Sequence, residues 1–309
     1  MISKLSEAVK TDLQVLQNAD QAIKEDTAFL RDSLPNLQTE ILTIRDMQHL
    51  QWGGQQLQQF QLVLDWISPT DFPAQQYDII SRRQKGTGQW LLDSPEFQEW
   101  LQGAHKTLFC PGIPGAGKTM MAAIAIDHLR TLAQEDVGLA YLFCNYKSQV
   151  DQNLCNLLSA LLKQLVQDWP DIAVPVTCLY DDHAKKKSRP SLEELFTALL
   201  IVCSKYARVY VVLDALDECT DQDGTRSQLI EKLRYLQMRT NVRLLLTSRF
   251  IPEITEKFRL DPVLEVQASE DDVKQFVIGQ IPRLPRCIRR DDELTHAVQS
   301  TIVKAIGGM

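Results

Sequence analysis

Eight consecutive residues, Gly112-Ile-Pro-Gly-Ala-Gly-Lys118-Thr119, have the side chains and spacing of a loop that wraps a polyphosphate. Gly115 and Gly117 remove the Cβ where backbone N–H groups must turn toward phosphate oxygens. Lys118 is a flexible point charge with the reach for β- and γ-phosphates, and Thr119 offers a hydroxyl to Mg²⁺. The candidate nucleotide contacts are therefore Gly112, Pro114, Gly115, Ala116, Gly117, Lys118, Thr119 and Met120, with Thr119 also a candidate metal ligand. A chance glycine turn before a helix is the plain alternative, and the surroundings argue against it. The run Thr107-Leu-Phe-Cys110 before the loop is short, apolar and β-prone; residues 120–126 and 128–130 after it read as a helix. Strand, glycine loop and helix together aim N–H groups and the positive end of a helix dipole at an anion.

Hydrolysis needs more than phosphate binding. The run Val209-Tyr-Val-Val-Leu213 ends at Asp214, and Ala-Leu-Asp217-Glu218 follows. A carboxylate at the tip of a buried strand suits a Mg²⁺ anchor, usually through water, and Asp214 takes that role. Glu218 is the candidate for polarising an attacking water and Asp217 its rival; spacing alone does not choose between them. A polar turn that merely caps the next helix is disfavoured by three acids placed after a phosphate loop. A third element, Arg243-Leu-Leu-Leu-Thr247-Ser248-Arg249, delivers polar residues to the carboxyl edge of the same sheet, where ligands bind. Arg249 fits contact with a γ-phosphate. Taken alone it reads as a surface salt bridge; beside the other two elements it reads as a sensor.

These residues need a sheet to hold them. From about residue 106 strand-like and helix-like runs alternate, which predicts an α/β fold with a parallel sheet and helices on both faces. Strands are expected over 137–146, 208–213, 242–247 and, more briefly, 262–266. Helices are expected over 151–168 and 191–206, around 95–101, and again from about 269. Residues 68–73 read as a turn-rich linker. Before them lies a helical region in which Leu30, Leu34, Leu37, Ile41 and Ile44 recur at spacings of four and three, as in a coiled coil. A weaker stripe, Ile2 to Leu16, precedes it, and a third short helix carries Leu57, Phe60, Leu64 and Ile67. Self-association or effector binding through these helices and a bundle packed on itself fit equally. The expected organisation is a helical region at 1–67, a lead-in at 68–105, the NTPase domain at 106–267 and the start of a helical domain at 268–309.

The 309 residues suffice for about two domains with a real core. A net charge of −7 argues against a general nucleic-acid binder, whose footprint would be basic; the basic runs at 185–187 and 286–290 read as solvated loops. Seven scattered cysteines without a C-x-x-C spacing suggest reduced thiols rather than a disulfide framework. The start of the chain has no apolar signal core, and no apolar run approaches the ~18 residues of a membrane span, so a cytoplasmic protein is expected.

With these residues in place, the chain resembles the NACHT-type STAND nucleotide-binding proteins, the NOD-like signalling ATPases. The resemblance is carried by Gly112-Ile-Pro-Gly-Ala-Gly-Lys-Thr119, Leu213-Asp-Ala-Leu-Asp-Glu218 and Leu246-Thr-Ser-Arg249. The stretches Trp66-Ile-Ser-Pro-Thr-Asp-Phe-Pro-Ala-Gln-Gln76 and Arg82-Arg-Gln-Lys-Gly-Thr-Gly-Gln-Trp-Leu-Leu92 look like the lead-in of fungal members, the nephrocystin-3-like amino-terminal NACHT regions. The similarity covers roughly residues 66–309. It implies ATP or ADP with Mg²⁺ as cofactors, slow hydrolysis, and a conformational switch in which ADP holds a closed monomer and ATP permits assembly. It also implies that Gly86-Thr87-Gly88 helps cover the adenine, where a plain turn is the alternative. No Gly-x-Pro element, winged-helix residue or repeat region of such proteins has a counterpart here, which suggests a fragment or a truncated product. A non-catalytic interaction module stabilised by nucleotide is the alternative function. It would tolerate Glu218→Gln.

Overall fold

Four short apolar runs dictate the core because they show almost no alternation between polar and apolar residues, and such strands must be covered on both faces. They are β1 (Thr107–Pro111), β2 (Val137–Phe143), β3 (Arg208–Asp214) and β4 (Val242–Ser248). In the computed structural model they form one parallel sheet in the order β1-β4-β3-β2. This is the P-loop NTPase-like architecture, with helices flanking the sheet. The structure describes residues 54–132, 136–148, 152–221, 223–267 and 269–281, with isolated positions at 293–294, 297 and 301–302. The two proposed helical stripes before residue 45, the basic run at 286–290 and the chain end lie outside the described residues.

The chain divides into two compact units, Met1–Leu62 and Val63–Met309. Helix α1 (Gly54–Ile67) runs across that division and contains the third helix expected from the sequence. Helix α2 (Phe72–Ser81) begins inside the stretch that reads as a linker. Asp71 accepts from the Ala74 N–H at 3.0 Å, and Pro73 sits in the first turn, where a missing N–H costs nothing. The Pro that closes the expected linker lies in the first turn of a helix. Short α3 (Gln89–Asp93) and α4 (Pro95–Gln102) follow. Helix α4 ends at Gly103 with φ +99, and Arg243 of β4 donates to the carbonyls of Trp100 and Leu101, placing a cation at the negative end of the helix. That contact ties the lead-in to the sheet.

Helix α5 (Lys118–Leu132) follows the glycine loop with seven buried residues, which anchor the end of the loop in the core. Gln76 of α2 donates to the Ala123 carbonyl at 2.9 Å. Strand β2 stops at Phe143, three residues short of the expected end. Cys144 makes a last sheet bond to the Asp214 carbonyl (3.0 Å), and then Gln152 bonds both the N–H and the carbonyl of Asn145 and bends the chain into a single turn, Tyr146–Ser148.

Helices α6 (Leu154–Val166), α7 (Val174–His183), α8 (Leu192–Lys205) and α9 (Thr225–Arg239) come next. The first and third match expected helices, starting at an Asn153 cap and a Ser191–Glu194 capping box. The other two were not legible, since α9 carries its buried Leu229, Ile230, Leu233 and Leu236 among charged and amide residues. After the short α10 (Pro252–Thr255), residues 262–266 run beside β1. They make a parallel bridge at Val263 and bonds from Phe109 N to Pro262 O (3.0 Å) and from Val266 N to Pro111 O (2.7 Å). The expected strand is thus a ladder of a few bonds on the sheet edge. Helix α11 (Glu270–Gln280) is the helical return expected after 269. Among the described residues no helix is long and apolar enough to cross a membrane.

Candidate functional site

Register places the chemistry. Leu213 pairs with Leu246 across β3 and β4, and Cys110 pairs with Thr247 across β1 and β4. The last residues of three parallel strands therefore stand in one row at the carboxyl edge. The chain leaves β1 through the glycine loop, β3 through Asp214 and β4 through Ser248 and Arg249.

In the loop, Gly115 and Gly117 have φ of +82 and +91, which only glycine adopts without strain, and each faces open space where a Cβ would stand. Gly112 has a different reason. Its N–H donates to the Ser248 carbonyl (3.0 Å), and a Cβ there would come within 2.5 Å of the Val266 carbonyl oxygen. The first glycine of the motif is thus required by close packing against residues 262–266. Gly112→Ala is expected to destabilise the fold by about 1–3 kcal/mol through overpacking, read as a lowered denaturation midpoint. A midpoint equal to wild type would show that the edge segment yields freely.

Lys118 and Thr119 open helix α5, so their N–H groups have no acceptor within the helix. Lys118 Nζ donates to the carbonyls of Gly112 and Ile113, both at 2.8 Å. Burial pulls the Lys118 ammonium below its ordinary pKa and Arg249 pulls the same way, while Asp217, Asp214 and Glu218 oppose them. Across from the loop, Asp214 is 2% exposed and accepts from Thr247 Oγ1 at 2.6 Å. Thr247 Oγ1 itself accepts from the Ala215 N–H at 2.9 Å, so its proton is committed to Asp214. Ala215 holds the left-handed conformation (φ +54) that swings the following acids back over the edge.

The two acids after Asp214 have separate partners. Asp217 accepts from the Arg249 N–H at 3.0 Å and from Arg249 Nε. Burial alone would raise its carboxyl; the Arg249 hydrogen bonds and charge bring it below the ordinary range. Arg249 is correspondingly raised, first by its bond to Asp217. Glu218 Oε2 accepts from the Tyr146 N–H at 3.1 Å, a contact made by the bend after β2. Nothing in the sequence signals that partner. Thr247 is the other residue whose role the sequence reading left unassigned.

Together these residues line an open cavity of about 360 Å³: Pro114, Gly115, Gly117, Lys118 and Thr119 on one side, Asp214, Ala215, Asp217, Glu218 and Arg249 on the other. Gly112, Ala116 and Met120 lie in the same loop and helix but are not among the lining residues. Gly86 and Thr87 are not either. Their turn is held by bonds from Thr87 to the Gln84 carbonyl, and the next residue, Gly88, donates to Asp272 of α11 at 2.9 Å. A Cβ on Gly88 would come within 2.3 Å of Ile124 Cδ1 in α5, so the turn lies against the helix that bears Lys118.

Asp214 has a cost that can be measured. Burial raises its carboxyl against the hydroxyl bonds of Thr247 and Thr119 and the charge of Lys118. The folded chain therefore holds this proton to a higher pH than the unfolded chain does. Stability contributed by the protonated form is lost as pH rises from the ordinary carboxylate range through the raised value. Asp214→Asn is expected to raise the melting temperature at pH 7 without nucleotide, with the gain shrinking as pH falls through the carboxylate range. A melting temperature lowered at pH 7 would contradict this.

The family described as "Nephrocystin 3, N-terminal" matches residues 86–249, more than half of the chain, from the turn at Gly86 to Arg249. Among solved structures the chain is similar to a DNA replication initiation factor (12% identity, TM-score 0.39, covering 72% of this chain and 60% of that one). It is also similar to AMPPCP-bound DnaA from Aquifex aeolicus (10%, 0.39, 71% and 60%) and to a Walker-type ATPase of Pyrococcus abyssi (12%, 0.45, 72% and 67%). The chain spans 60% of the length of the first two. No curated protein matches it significantly.

Proposed function

The chain belongs to the nephrocystin 3 N-terminal family of P-loop NTPases, and from that premise we propose that it binds ATP and ADP with Mg²⁺, hydrolyses ATP slowly, and uses the exchange as a conformational switch in signalling. The observation that carries the reading is the cavity in which Lys118, at the head of a fifteen-residue helix, faces three carboxylates and Arg249.

The donor set suits a magnesium nucleotide. Two cations stand against three carboxylates, so a divalent cation together with phosphates would balance the site better than phosphates alone. Among the described residues no three His, Cys, Asp or Glu side chains are arranged to hold a metal on their own. Mg²⁺ rarely uses such cages and keeps waters beside one or two protein oxygens and substrate phosphates. Thr119 and Asp214 would be those oxygens, with Thr247 fixing the Asp214 carboxylate. Bound there, the ion would neutralise charge developing on the transferred phosphoryl group.

The protein's own groups divide the remaining work. Loop N–H groups and Lys118 bind the β- and γ-phosphates. What supports Glu218 over Asp217 as the group that orients water is that the Asp217 side chain is 2% exposed and holds the Arg249 backbone N–H, whereas Glu218 lines the cavity and gives one oxygen, Oε2, to the Tyr146 N–H. We assign the turn at Gly86 and Thr87 a position beside the base, a reading supported by the close approach of the next residue, Gly88, to Ile124 of α5. The test is titration of the purified chain with ATP and ADP, with and without Mg²⁺, followed by assay of phosphate release. Magnesium-dependent binding of both with slow release supports the reading; binding of neither removes it.

A further inference from the structure

We propose that Asp217 sets the preference of this site between a nucleoside triphosphate and a diphosphate, by holding the Arg249 guanidinium until a γ-phosphate displaces it. The proposal rests on the nucleotide reading above and goes beyond it by assigning the acid a positioning role.

The geometry separates a fixed acid from a movable cation. The Asp217 side chain is 2% exposed, whereas the Arg249 side chain is 48% exposed and lines the cavity. One Asp217 oxygen is bound by the Arg249 backbone N–H at 3.0 Å, a bond that survives if the guanidinium swings away. The other is bound by Nε, which does not survive. The released carboxylate keeps the backbone bond and lies close enough to Lys118 to act on its charge. Release is thus a local rotation of one side chain with no buried charge left wholly unpaired.

An ion pair with one exposed partner is weak. A γ-phosphate offers several anionic oxygens to the same planar fork and can compete for it. A diphosphate ends where the loop and Lys118 already serve it and offers Arg249 nothing further. Through Arg249, Asp217 therefore subtracts from triphosphate affinity and not from diphosphate affinity. The pair biases the resting protein toward the diphosphate.

The test is a double-mutant cycle on the full chain, with dissociation constants measured for MgADP and for the magnesium complex of a β,γ-imido ATP analogue. Asp217→Asn is expected to raise the triphosphate-to-diphosphate affinity ratio about tenfold, the scale of one charge-assisted hydrogen bond. Arg249→Ala should lower the ratio, and adding Asp217→Asn to it should change the ratio no further. Loss of negative charge near Lys118 would strengthen both nucleotides equally, so only the ratio reports the Arg249 route. If Asp217→Asn does not fold, Asp217→Ser enters the same cycle. An unchanged ratio with both nucleotides still bound overturns the proposal and leaves the nucleotide reading standing. So does an equal rise in the Arg249→Ala background. A wild-type chain that binds neither nucleotide overturns both.

Discussion

Lys118→Ala is expected to weaken ATP and ADP binding together by about a hundredfold or more, the scale of removing one partner from a desolvated, hydrogen-bonded charge contact. The reason lies in where the ammonium stands. Among the described residues it is the one lysine lining the cavity, at the head of α5, with burial lowering its pKa against three acids that sustain its charge. Removing it leaves those acids facing the phosphates with only Arg249 in opposition. The substitution also deletes two bonds to the Gly112 and Ile113 carbonyls, so a modest stability loss of about 1–2 kcal/mol accompanies it. Isothermal titration beside a thermal melt separates the two effects. A folded Lys118→Ala that binds either nucleotide as wild type does would contradict the phosphate role.

Glu218→Gln carries the second large effect, on turnover and not on binding. If Glu218 orients and polarises water, single-turnover hydrolysis should fall by about 10²–10⁴-fold, the usual worth of a general base, with nucleotide affinity changed only a few-fold. The amide can still accept the Tyr146 N–H bond, so the bend after β2 should survive. A hydrolysis rate unchanged by the substitution would remove Glu218 from the chemistry. It would favour the reading in which nucleotide serves as a structural ligand.

Much of this site was legible because its parts are backbone devices written in residue type. Positive φ at Gly115 and Gly117, a strand of β-formers ending at Asp214 and a second buried strand ending at Thr247-Ser248-Arg249 are local features, and the sheet order only had to bring them together. What was not legible depends on tertiary partners. The sequence offers Glu218 as the candidate and Asp217 as its rival without a spacing argument to choose; their separation arises because β4 presents the Arg249 N–H to Asp217 and the Tyr146 turn presents its own to Glu218. Gly112 read as a phosphate contact, yet its Cβ is excluded by a carbonyl 154 positions on, in a segment that the sequence placed only as a short strand. Residues 68–73 read as a turn-rich linker because the place of Pro73 in a first turn depends on the Asp71 cap. Helix α9 hid its four buried aliphatics among polar residues facing outward.

The most direct test of the central claim is the nucleotide carried by the purified chain, released by denaturation and identified beside Lys118→Ala. The account predicts adenine nucleotide near one equivalent, mainly ADP because the Asp217–Arg249 pair disfavours the triphosphate, and none in the variant. A folded wild-type chain that carries no nucleotide and takes up none on incubation with MgADP or MgATP would contradict it.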